Sequence, residues 1–320
     1  MLGALAAAGV ALAGCGGGHR PPPAIPNGRH VAAATMQQLL ARVLPGTRIA
    51  TAVNLREARR ELHLPADQPL APRALTESTT DPPRSAPTAH RRAAIAALTQ
   101  LASLAMPLYD DSPLFSALEL GRVTGAVQFG GVEHSGLLIA TSEPPAQIER
   151  SLLNAGWSKV DGGFRYPHAV APGGRVLAHS KVALFPGGLV LAYQPEDADD
   201  AAEQSTAARS DAQLLALLAR SSAPARFATV DSACLREELA AERLAPRIAI
   251  VSVRPKQTPN LGRVILASGD PDLAGLGLAV SPPILQDGRV VITVRYLRSS
   301  RAPAGTVVEL ARDAPVYRCS

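Results

Sequence analysis

The alternation of apolar and polar positions divides the chain into many short elements. Arg48 to Val53 predicts a strand and Leu55 to Leu62 a helix ended by Pro65, with Ala66 to Pro72 as loop. Thr76 to Ala89 shows no apolar period and contains Pro82, Pro83 and Pro87, which predicts an exposed loop. Ala93 to Leu104 places Ile95, Leu98, Leu101 and Ala105 at helical spacing, an amphipathic core helix stopped by Pro107. Val123 to Phe129 and Leu137 to Thr141 predict two strands across Gly130-Gly131, followed by a helix over Pro145 to Leu153 that Gly156 terminates. Two further hairpins turn at Asp161-Gly162-Gly163, between Trp157–Val160 and Phe164–Tyr166, and at Pro186-Gly187-Gly188, between Val182–Phe185 and Leu189–Tyr193. Helices are predicted from Pro195 and over Asp211 to Leu218.

Beyond residue 222 the pattern predicts a strand over Arg226 to Val230 and a helix over Cys234 to Arg243 capped by Asp231 or Ser232. Strands follow at Ile248 to Val253 and Val264 to Ala267. A Pro/Gly loop surrounds Ser281-Pro282-Pro283, and the clearest alternation of all covers Val290 to Tyr296. A short helix is expected near Thr306 to Ala311. Arg48-Ile49-Ala50-Thr51 echoes Arg226-Phe227-Ala228-Thr229, and the hairpin opening at Arg122-Val123 echoes the segment opening at Arg247-Ile248. The expected fold is α+β, with antiparallel sheets covered by helices on one face, read as a diverged duplication loosely of the ferredoxin split β-α-β type. A first α+β domain is expected over residues 35–221 and a second, smaller one over 222–320.

The one stretch outside this scheme is the N-terminus. Met1 to Gly14 is apolar and uncharged, but shorter than the about 20 residues of a membrane-spanning helix, which predicts a signal peptide over residues 1–14. It ends in Leu12-Ala13-Gly14-Cys15, which resembles the lipobox of bacterial lipoproteins. The family's basic residues ahead of the apolar core have no counterpart in Met1-Leu2-Gly3. The resemblance implies acylation of the Cys15 sulfur and a protein held to the membrane on its extracytoplasmic face. Gly16 to Gly18, Pro21 to Pro23 and Pro26-Asn27-Gly28 then form a segment that cannot pack, so residues 15–34 are expected to act as a tether. Setting Cys15 aside leaves Cys234 and Cys319, an even pair in a chain expected to be exported, which predicts a structural disulfide. Strict ferredoxin topology would hold Cys319 roughly 20 Å from Cys234. The bridge therefore leaves strand order open.

Composition narrows the function by exclusion. Aromatic residues are 3% of the 320, which argues against a ring-lined cofactor or sugar site. The net charge is +5, with 29 Arg against only Lys159, Lys181 and Lys256, but the charges are scattered and no Arg-aromatic interleaving exists to bind nucleic acid. G-x-S-x-G, S-x-x-K, H-E-x-x-H, the P-loop and a helix-opening G-x-G-x-x-G are all missing from the sequence, and it implies no cofactor. His134, His168 and His179 with Glu133 are conceivable metal ligands, but their irregular spacing near turns favours ordinary exposed histidines. Glu196, Asp197, Asp199, Asp200 and Glu203 crowd the helix after Pro195, where carboxylates complement the helix dipole. Arg289, Arg295, Arg298 and Arg301 lie along and beyond the best strand. Arg295, Arg298 and Arg301 are candidates for contact with anionic headgroups or wall phosphates. The expected function is a lipid-anchored envelope protein with a binding or structural role toward an envelope protein, lipid or wall polymer. The alternatives are a carrier of an apolar ligand or lipid and, third, an envelope hydrolase or metal enzyme.

Overall fold

The computed structural model describes residues 31–45, 47, 49–70, 86–106, 113–130, 134–167, 180–204, 225–229, 235–255 and 271–313. The class is α+β and every strand pairing is antiparallel. In the first half, β1 (Ile49–Val53), β2 (Val123–Gly130) and β3 (Ser135–Thr141) lie side by side and are followed in the sheet by β7 (Gly188–Ala192), β6 (Lys181–Phe185), β5 (Gly163–Arg165) and β4 (Ser158–Val160). In the second half, β8 (Ala225–Thr229), β9 (Leu235–Leu244), β10 (Arg247–Pro255) and β13 (Arg289–Tyr296) take the same kind of order. Each half is therefore a run of three strands in chain order, with the half's last strand beside the third. β1 and β8 join the halves through pairs such as Thr51 with Phe227, so one sheet runs through both.

β11 (Leu278–Val280) and β12 (Ile284–Gln286) share one edge of β13 end to end. The sequence predicts only a loop there. The Pro282-Pro283 pair interrupts this edge, and Ser281 bridges the gap by donating its N–H to the Thr293 carbonyl and accepting the Thr293 N–H on its hydroxyl. The β12–β13 turn places Asp287 and Gly288 at positive φ, 49° and 72°, the combination a two-residue hairpin needs.

The principal core lies on one face of the sheet. Against it pack α2 (Leu55–Glu61), α3 (Ala86–Ala105), α4 (Pro113–Ser116), α5 (Pro145–Asn154), α7 (Pro271–Gly275) and α8 (Thr306–Asp313), through residues such as Leu55, Leu101, Phe115, Ile148, Leu273 and Val307. α3 begins at Ala86, inside the segment expected to be loop, because a proline in a first helical turn forfeits no intrahelical hydrogen bond. The opposite face of the first half is also covered, by α1 (Met36–Leu40) and α6 (Pro195–Glu203). Leu39, Leu40, Ala198 and Ala201 bury Val127, Phe129, Leu138 and Val190 there. Arg42 fastens this layer by donating to the carbonyls of Ala201, Ala202 and Gln204 at the end of α6, with its guanidinium 4.2 Å from the Phe185 ring centre. The helical cover thus extends to both faces of β2, β3, β6 and β7, whose near-continuous apolar runs suit strands buried on both sides.

The helix expected over Cys234 to Arg243 is instead strand β9, a correction with a clear cause. Leu, Arg, Glu and Ala favour helix intrinsically, but β9 is hydrogen-bonded on both edges, to β8 and β10. Ala240 and Ala241 pack on its two faces, opposite Val251 and Ile250. The helix expected over Asp211 to Leu218 and the strand expected over Val264 to Ala267 lie outside the described residues, as do Cys15, Cys234 and Cys319.

Candidate docking face

Two-residue alternation in β13 sends Val290, Ile292 and Val294 into the principal core, where they meet Val253, Val251 and Ala249 of β10. The intervening residues of both strands look out on the other face. Along it, Val291 stands between Ile284 and Ser252, Thr293 beside Ile250, and Arg295 between Ala279 and Ile248. Leu297 continues the row, since its N–H donates to the Gly277 carbonyl in the same register. Following the pairing through Ala241, Arg226 and Ala52 shows that this is the face that α1 and α6 cover in the first half.

Here the face is open. Ile250 is 47%, Ile284 55% and Leu297 49% exposed. The other large hydrophobic side chains exposed among the described residues are Leu153 and Leu285, and Leu285, paired with Val290, is on the other face. Single exposed apolar residues are ordinary, whereas several on adjoining strands make a patch. The row from Arg289 to Leu297 is about 27 Å long at strand spacing.

The charges that β13 carries on this face, Arg289 and Arg295, are basic. Arg295, Arg298 and Arg301 are exposed and have no ion pair or hydrogen-bond partner among the described residues. Of these three sequence candidates, the strand register places Arg295 on the open face, while Arg298 and Arg301 follow in the segment beyond β13. Arg289 is held differently, donating from Nε to the Ser252 hydroxyl at 2.6 Å and from Nη2 to its carbonyl.

The buried polar groups have structural roles. Glu242, fully buried on the core face of β9, accepts the Tyr296 hydroxyl at 2.7 Å and the Gly305 N–H at 2.9 Å, and so ties β9 to the start of α8. The Arg247 guanidinium lies 3.6 Å from its other oxygen and 3.8 Å from the centre of the Tyr296 ring. Burial pushes the Glu242 carboxyl above the usual carboxylate range, and burial with the adjacent Glu242 charge raises the Tyr296 phenol. Arg59 donates to the carbonyls of Gln68, Val123 and Leu120, and desolvation lowers its guanidinium to about 10.

His134 stands at the entry to β3, and its Nδ1 is 2.7 Å from Oδ1 of buried Asp197 in α6. Lys181 donates to both Asp199 oxygens, at 2.6 and 2.7 Å. Two members of the acidic cluster therefore pair across elements, a use the helix-dipole reading does not anticipate. His168, His179 and Glu133 lie outside the described residues, and no group of three potential metal ligands occurs among the described residues. No helix among the described residues is long and apolar enough to cross a membrane. Sequence periodicity found β13 and its arginines but missed the exposure of Ile250. Its signal, Ile248 and Ile250 alternating with Ala249 and Val251, reads equally well as a strand buried on both faces.

No protein-family model and no curated protein matches the chain. Among solved structures it is similar to TP0453 in crystal form I, over 85% of this chain and 96% of that one, at 10% identity and a TM-score of 0.42. Crystal form IV of TP0453 matches over 80% and 92%, at 9% identity and 0.41. At these scores the likeness carries no functional argument.

Proposed function

We propose that this chain is a lipid-anchored extracytoplasmic protein of the cell envelope, held through Cys15, whose body binds another envelope component without catalysing a reaction. The observation that carries the binding role is the open face of β10 and β13, where Ile250, Ile284 and Leu297 are exposed on the same face as Arg295, with exposed Arg298 and Arg301 in the segment that follows. Leaving such a face in water forgoes roughly 25 cal/mol for each Å² of apolar surface that a partner would cover. The anchor rests on Leu12-Ala13-Gly14-Cys15 and the Gly/Pro-rich residues after it. More than one acyl chain on Cys15 makes a stable attachment, unlike the marginal hold of a single one.

The test is fractionation of Cys15→Ala beside the native sequence, with mass analysis of the N-terminal peptide. The native chain is expected in the membrane fraction after salt and carbonate washes, with acyl groups on Cys15. Cys15→Ala is expected in the supernatant. Retention of Cys15→Ala after both washes contradicts the anchor.

A further inference from the structure

The open face has both components of an anionic lipid contact, apolar side chains at the surface and cations without partners around them. We infer that β10, β13 and the segment after β13 lie against an anionic phospholipid surface, the arginines at the phosphates and Leu297 and Ile250 at the headgroup boundary. This deepens the anchored reading of the previous subsection and rests on it for where the body finds itself. Three observations select lipid as the occupant. Arg295, Arg298 and Arg301 are exposed and unpartnered among the described residues, so their charge is available to phosphate at no cost in internal ion pairs. Arg295 and Leu297 share one face of β13, with Ile248 and Ile250 on the next strand and Arg298 and Arg301 in the segment that follows, so charge and apolar surface adjoin on one face. A soluble polyanion would use the first and leave the second in water.

The third observation is the tether. Ala34, which with Ala32 and Ala33 lies against Gly187 so that the body begins before it, packs into the cluster under α1, on the same face of the sheet that Ile250 occupies in the second half. If residues 15–30 act as the tether that their Gly/Pro-rich composition predicts, 16 residues of such chain have a root-mean-square reach of about 22 Å. That is comparable with the length of the patch, so an acyl group on Cys15 keeps the face at high effective concentration over the bilayer. The anchor supplies proximity and the arginines supply orientation.

The experiment uses the full chain carrying Ile250→Trp, with the native Trp157, buried in the core, as internal reference. The acylated protein is placed in vesicles of phosphatidylcholine with brominated acyl chains, with or without phosphatidylglycerol, and tryptophan quenching is read. Quenching of the new fluorophore is expected only with phosphatidylglycerol. It should disappear on raising salt and in the Arg295→Glu, Arg298→Glu, Arg301→Glu variant.

In a second arm, the unacylated Cys15→Ala chain is titrated with the same vesicles. Its affinity should fall at least about a hundredfold on the triple charge reversal, at about fivefold for each positive charge lost, the N-terminal segment being common to both proteins. No quenching while the acylated protein stays on the vesicles overturns the docking and leaves the anchor standing. Quenching of the unacylated chain, with native Cys15 found unmodified, removes the anchor and keeps the docking. Equal quenching without phosphatidylglycerol overturns the inference. So does tight binding to soluble polyphosphate without vesicle quenching, which would assign the face to a polymer.

Discussion

Leu138 and Ile250 occupy equivalent places in the two halves, each on the third strand of its run and on the same face of the sheet, yet one is fully buried and the other is 47% exposed. What separates them is the helical layer. Over Leu138 the chain lays α1 and α6, locked together by Arg42, whereas over Ile250 none of the described residues builds a second layer. On the core side the halves are alike, for one apolar cluster includes Val53 and Ile139 as well as Val251 and Val308. The second half is a sheet with a finished inner face and an outer face composed for something else. Arg295, paired with Ile248, stands where the first half has the fully buried Ala192, paired with Gly136.

The largest expected effect concerns what holds the thinner half. If Cys234 and Cys319 are bridged, as we propose, the disulfide ties the C-terminal segment to the start of β9, and closing an 85-residue loop contributes on the order of 4 kcal/mol. Non-reducing peptide mass analysis should show the two cysteine peptides joined, and reduction should lower the unfolding midpoint. Free alkylation of both thiols in protein from its native compartment would remove the bridge.

Next, Leu138→Ala should cost about 3 kcal/mol, from lost burial plus a cavity that α1 and α6 cannot fully close. Ile250→Ala should cost under about 1 kcal/mol, because water already reaches that side chain. Urea titrations of the two variants would measure the difference between the covered and open faces; similar losses would mean that Ile250 has a cover of its own.

A third effect tests the join between β9 and α8. Burial raises the Glu242 carboxyl in the folded chain, so from the ordinary carboxylate range upward the native state holds this proton longer than the unfolded state. Stability attributable to Glu242 therefore falls as pH rises through that window, by at most about 1.4 kcal/mol per pH unit for one group. Glu143, also raised mainly by burial, adds in the same direction. Glu242→Gln keeps an oxygen for Tyr296 and Gly305, and should flatten the slope in denaturant midpoints taken at successive pH values.

The smallest effect is expected from Arg295→Glu, Arg298→Glu and Arg301→Glu together. With no partners to lose among the described residues, they should change stability by no more than about 0.5 kcal/mol each. A larger loss by thermal melting would make the arginines structural.

These contrasts show how far the sequence could be read. Strands with strong alternation or Gly turns, such as Val290 to Tyr296 and the pair around Gly187, stand where periodicity puts them, and Gly156 ends α5 with φ of +88°. β9 was illegible because a Glu- and Ala-rich segment states its own helical preference and not the two neighbours that recruit it into the sheet. Glu242 was lost with it, since a buried carboxylate is recognisable only once Tyr296 and Gly305 are seen to meet it. The arginines of the candidate face were visible in sequence. Its openness was not, because layer coverage depends on where α1 and α6 fall, far away in the chain.

Whether the open face is covered in the envelope can be read by hydroxyl-radical footprinting. The native protein would be labelled in intact membranes and again after extraction into detergent and dilution to a lipid-free state. Ile250, Ile284 and Leu297 should oxidise markedly more slowly in membranes than after extraction, while Leu153, exposed on α5 away from this face, should react equally in both. Equal oxidation of Ile250, Ile284 and Leu297 in the two states would contradict a covered face.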